Sequence, residues 1–190
     1  MLTRQMSTRQ MLTRQISMLA VFGGLPAPCL VGETVTLKQL ELEQEGTKLI
    51  RQVRDVARDV HSHADQLNYF PEATHISKRT QQQHLDQIKS RVNEGLRPAL
   101  KRLTEIQPQL PAWHQDIIDQ MLTSAKALAA DTNSAIRNRN SNGVVNNAYV
   151  ELIININKHA EALAKISDAA TDYVVAHQQA AEAGLKVPSH

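Results

Sequence analysis

The chain has 190 residues, 42% of them hydrophobic but only 3% aromatic, with seven Gly and seven Pro. That is enough for one domain with a sizeable core of Leu, Ile, Val and Ala, and too few turn formers for a sandwich or barrel. Residues 1–32 carry three Arg and no acid, so the remaining 158 residues hold 18 basic against 19 acidic side chains and offer no electrostatic case for nucleic acid.

Residues 1–15 repeat one pentapeptide three times, MLTRQ-MSTRQ-MLTRQ, placing Arg4, Arg9 and Arg14 in register. A ten-residue, mostly apolar run follows at 16–25, then PAPCLVG at 26–32. A basic start, a short apolar centre and a small-residue exit is the layout of a secretory signal. A disordered leader and an Arg-rich transit peptide are the alternatives, and the run is too short to span a membrane. Membrane attachment is therefore expected only through this leader. Cys29, the single cysteine, excludes an internal disulfide and is a candidate lipid-attachment site, although Pro28 before it suits that chemistry poorly. The expected organisation is a leader over 1–32 and a helical domain over 33–190.

The first segment runs from about 35 to 69. Leu37, Leu40, Thr47, Ile50, Val53, Val56, Val60, Ala64 and Leu67 recur at helical spacing. Its other face alternates in sign through Arg51, Arg54, Asp55, Arg58 and Asp59, and reads as a solvated face with pairs within helical reach. Pro71 ends the segment.

The second segment spans about 77–107, with Ser77 as N-cap and Leu85, Ile88, Val92, Leu96, Ala99, Leu103 and Ile106 as its stripe. Gly95 and Pro98 lie inside it, which predicts a kink near 94–98. After a connection at 108–111, a third helix is predicted to about 138, its face built from Trp113, Ile117, Met121, Ala125, Leu128, Thr132 and Ala135. Residues 137–143, RNRNSNG, read as the clearest loop in the chain.

The fourth segment, to Gly184, holds one stripe for about five heptads: Val145, Tyr149, Leu152, Ile156, His159, Leu163, Ile166, Ala170, Tyr173, His177, Ala180. Its 150–157 stretch, VELIININ, also alternates like a strand but sits inside a helical pattern. The expected fold is all-α: an up-down-up-down antiparallel four-helix bundle with its second helix kinked near Pro98.

No phosphate loop, nucleophile elbow, zinc-protease helix or haem-attachment motif occurs, nor the Glu-x-x-His pair of a ferritin-like di-metal site. The chain is therefore expected not to be an enzyme, and no motif specifies a cofactor. Hairpin register suggests that His61, His63, His84 and Glu151 share a level, a set that would suit a divalent metal. Each of His61, His84 and Glu151 lies beside its stripe, so surface residues are the simpler reading. His159 lies on the stripe and is the candidate cofactor-binding residue, as an axial haem ligand. A haem bundle that pairs a Met of its first helix with a His of its last is missing that Met here. The bland alternative is a core-edge His bonded to a neighbour such as Thr123. Trp113, Tyr149 and Tyr173 offer a partner surface or core plugs.

The expected function is an exported, periplasmic or envelope-associated protein that binds or scaffolds without catalysis, its partner a protein or a small ligand. The alternatives are a haem- or metal-binding bundle in electron transfer or metal handling, and an intracellular adaptor.

Overall fold

The computed structural model describes residues 37–69, 78–142 and 146–182. These form four long helical runs, with no strand among them. Helix α1 is Leu37–Tyr69. The second run is continuous but composite: α2 (Lys78–Ser90), a π-helical turn (Arg91–Leu96) and α3 (Arg97–Ile106). A short 3-10 turn, Gln107–Gln109, leads to α4 (Ala112–Asn142), and α5 is Asn147–Glu182. The VELIININ stretch is helical throughout. The leader and Cys29 lie outside the described residues.

The π turn has a local cause. Pro98 has no N–H to return to the carbonyl one α-turn back, and its ring crowds that carbonyl. The ladder widens just before it, and the Arg97 N–H reaches the Val92 carbonyl, five residues back. Gly95 sits in this turn against α1. A Cβ there would lie 2.9 Å from Val56 Cγ1 and 3.0 Å from Cγ2, so only glycine permits this approach.

α1 packs along α5 and along the composite helix, and α5 packs along α4, whereas α4 meets α2 and α3 only sparsely. Ala57, Ala64, Ala135, Ala160 and Ala170 are fully buried, which lets the helices approach closely around Ile50, Val53, Ile88, Leu103, Ile118, Leu128, Ile156 and Leu163. Buried Thr132 and Ser167 return their hydroxyls to the Leu128 and Leu163 carbonyls at 2.8 Å each, so neither leaves an orphan donor.

Three expectations are corrected. The Asn-rich stretch does not open a loop at 137: α4 continues through Asn142. Tertiary bonds hold the extra turns, because Arg139 Nη2 donates to the Lys78 carbonyl at 3.4 Å and Asn146 Nδ2 to Asn138 Oδ1 at 2.9 Å. Asn146 Oδ1 also accepts from the Tyr149 N–H at 2.8 Å and caps α5. The charged face of α1 is more than solvated. Arg58 Nη2 reaches both carboxylate oxygens of Asp168 on α5 at 2.9 Å, with Arg54 Nε at 3.9 Å from the same group. The start of the α1 stripe is not core, since Leu37 and Leu40 are exposed.

Cross-helix contacts join residue 39 to 109, 45 to 102, 59 to 91 and 63 to 84. The Arg102–Glu45 pair is bidentate, at 2.7 and 3.0 Å, and this guanidinium holds the Glu45 carboxyl below its usual range.

Candidate functional site

The first turn of α4 is closed by the Pro111 carbonyl, which accepts from the His114 N–H at 3.0 Å and the Gln115 N–H at 3.3 Å, while Gln115 Nε2 returns to the Leu110 carbonyl at 2.9 Å. This rigid start aims His114 inward. The side chain is 1% exposed, and neither Nδ1 nor Nε2 has a hydrogen-bond partner among the described residues. Trp113 lies against it, ring centroids 3.5 Å apart and stacked, and meets Tyr173 of α5 at 4.7 Å. Gly46 of α1 leaves room opposite: a Cβ there would stand 3.8 Å from His114 Cδ2 and 3.3 Å from Leu110 Cδ1.

Trp113 and His114 form one wall of a cavity of about 490 Å³, completed by Val174 and by Leu40, Glu43, Thr47, Lys48 and Arg51 of α1. Burial pushes the His114 imidazolium pKa down to about 4, so the ring is neutral at pH 7. A neutral imidazole offers one donor and one acceptor, and here both are unused. A buried polar group costs free energy until it finds a partner. The cavity thus combines an aromatic wall, behind which one unsatisfied donor–acceptor pair is buried, with a rim of mixed charge.

Comparison with protein-family models, curated proteins and solved structures finds no match to this chain. Its own geometry is therefore the guide to function.

The residues singled out from the sequence lie elsewhere. His159 is half-exposed on α5, with Nε2 3.3 Å from Asp131 Oδ2 of α4 rather than beside Thr123. The buried stripe of α5 passes through Ile153, Ile156, Ala160, Leu163, Ser167, Ala170 and Val174, one step round from His159. Of the four metal candidates, His63 and His84 come together, Nδ1 to Nδ1 at 3.1 Å. Burial, with His84 adding to it, lowers the His63 pKa. His61 is half-buried with its Nδ1 unpartnered, and Glu151 is exposed. Among the described residues no three His, Cys, Asp or Glu side chains are gathered as a metal site, so these four do not form one.

The sequence reading missed His114 by one residue. It started the α4 stripe at Trp113, although strict four–three spacing back from Ala135 through Thr132, Leu128, Ala125, Met121 and Ile118 ends on His114. A polar residue on that register was the signal.

Proposed function

We propose that the chain is a non-catalytic binding protein whose ligand, a small planar organic molecule, occupies the cavity beside His114. The observation that carries this is the buried imidazole with both nitrogens unused, on a residue that lines a cavity inside the roughly 300–1,000 Å³ range of ligand sites; a turn of the ring brings a nitrogen to the cavity. A planar ligand stacks on Trp113 and supplies the acceptor and donor that His114 lacks. The scaffold is an antiparallel up-down-up-down bundle bent at its π turn. Between α1 and the second run the pairings 39 with 109, 45 with 102 and 59 with 91 support that packing, and between α4 and α5 so do 113 with 173, 131 with 159 and 138 with 146, since in each set one partner's number falls as the other's rises. Pro98 at the end of the π turn supports the bend.

Trp113 is the only tryptophan, so its fluorescence reports on this cavity alone. A library of planar heteroaromatic fragments, screened by thermal shift and Trp113 emission, is expected to give binders that His114→Leu abolishes and His159→Leu leaves intact. An absence of binders, or binders indifferent to His114→Leu, overturns the proposal.

A second reading, haem or metal binding, has one observation in its favour: a neutral imidazole is the protonation state that ligates metal. No other His, Cys or Met is among the described residues lining the cavity, which favours the organic ligand. Titration with haemin decides between them, since a Soret band lost in His114→Leu belongs only to the second reading.

Export remains part of the proposal through residues 1–32, whose Arg-rich start and apolar centre support it. Mass spectrometry of the mature protein from its native cell reads the N-terminus and any lipid on Cys29. A retained Met1 refutes a cleaved leader.

A further inference from the structure

The sparse contact between α4 and the composite helix leaves a slot of about 250 Å³ beside Val92, Leu96, Leu100, Leu122, Ala125 and Ala129. Val92 and Leu100 lie eight residue steps apart, so the slot runs ~12 Å along the helix. Its mouth carries three exposed cations, Arg97, Lys101 and Lys126, and no acid among its described lining residues. None of the three makes an ion pair with a described residue. This site is separate from the His114 cavity and shares no lining residue with it.

We infer that the slot binds a free single-chain amphiphilic carboxylate, its alkyl chain between α3 and α4 and its head group among Arg97, Lys101 and Lys126. Shape selects the chain. The floor residues Val92, Leu96, Leu100 and Ala125 are only 7%, 2%, 7% and 8% exposed, so a flat or helical protein partner, ~10 Å across, reaches almost none of this apolar surface. A thin alkyl chain enters. The volume exceeds the ~150 Å³ of an apolar cavity that already holds benzene. Charge selects the head group, and it disfavours a second copy of this chain, because a two-fold contact would oppose cation to cation.

Calorimetric titration of the full chain with decanoate, below its critical micelle concentration, is expected to show one saturable site. Affinity rises roughly fourfold per methylene from hexanoate upward and levels off once the slot is full. Decyltrimethylammonium binds at least tenfold more weakly. The triple variant Arg97→Gln, Lys101→Gln, Lys126→Gln loses about tenfold in decanoate affinity and keeps its circular dichroism, because all three side chains are exposed. Ala129→Leu weakens binding and Ala129→Trp blocks it, so a graded loss survives even if the larger change perturbs folding. Trp113 emission stays constant in the charge variants, which separates this site from the His114 cavity. Absence of saturation, equal affinity for the cationic amphiphile, or binding indifferent to Ala129 overturns the inference. So does co-sedimentation with phosphatidylglycerol vesicles in place of decanoate binding, or a dimer that Ala129→Trp dissolves.

Discussion

Replacing His114 by Leu tests the site through stability as well as through binding. The wild-type ring is buried with two unused polar atoms, a state that costs ~1–3 kcal/mol for a group without its hydrogen bonds. Leu removes that cost and adds apolar contact beside Leu110, so His114→Leu is expected to stabilise the protein by ~1–3 kcal/mol at pH 7.5. Acid enlarges the difference. Burial depresses the folded-state pKa from 6.5 to about 4. Above pH 6.5 the ring is neutral whether the chain is folded or unfolded, and its titration contributes nothing. Between pH 6.5 and 4 the unfolded chain takes up a proton that the folded chain refuses, so wild type loses stability as pH falls. At ~1.4 kcal/mol per pH unit the loss is on the order of 3 kcal/mol by pH 4. Urea denaturation of both proteins at pH 7.5, 5.5 and 4 measures it, and groups common to the two cancel in the difference. A variant less stable than wild type at pH 7.5, or a difference that does not change with pH, would refute the argument. A stabilising change that also abolishes ligand binding is the signature of a site held at the expense of stability.

Gly95→Ala should destabilise by ~1–3 kcal/mol despite alanine's helical preference, because its Cβ meets Val56 at 2.9 Å; Val56→Ala in the same chain should restore most of the loss in a double-mutant cycle. Ile156→Ala, at a position 0% exposed, should cost ~2–5 kcal/mol by urea melt, and a loss under about 0.5 kcal/mol would mean that α5 does not face the core there. His63→Gln should gain on wild type as pH drops below 6.5, since the lowered folded-state pKa of His63 makes wild type lose stability as acid rises. A pH-independent difference between the two would mean that burial, with the His84 contact at 3.1 Å, does not lower the His63 pKa. Arg58→Gln, which breaks an exposed link to Asp168, should change stability by no more than ~1 kcal/mol, and a larger loss would show that this pair aligns α1 with α5.

Much of this architecture is local and therefore legible in residues alone. A 3.6-residue period recurs because each helix buries one face, and that period marked all four helical runs and the connection at 108–111. It also kept VELIININ helical, since neighbours on both sides continued the pattern. The period does not say which of two adjacent stripes turns inward. One residue is 100° of rotation, and that rotation is set by the helices opposite. So His159 reads as core in sequence yet faces Asp131 at the surface, and His114 reads as peripheral yet is the most deeply buried histidine among the described residues. Residues 137–142 look like a loop until Arg139 finds the Lys78 carbonyl 61 positions away. Arg58 and Asp168, 110 positions apart, show no relation before folding. Neither cavity has a sequence signature, because each is space that several helices leave between them. The sequence by itself determined the four helical runs, though not where α4 ends, through periodicity that every turn repeats. Only the tertiary structure decided which faces meet, which imidazole is sealed without a partner and where room for a ligand remains, because those depend on side chains far apart in the chain packing against one another.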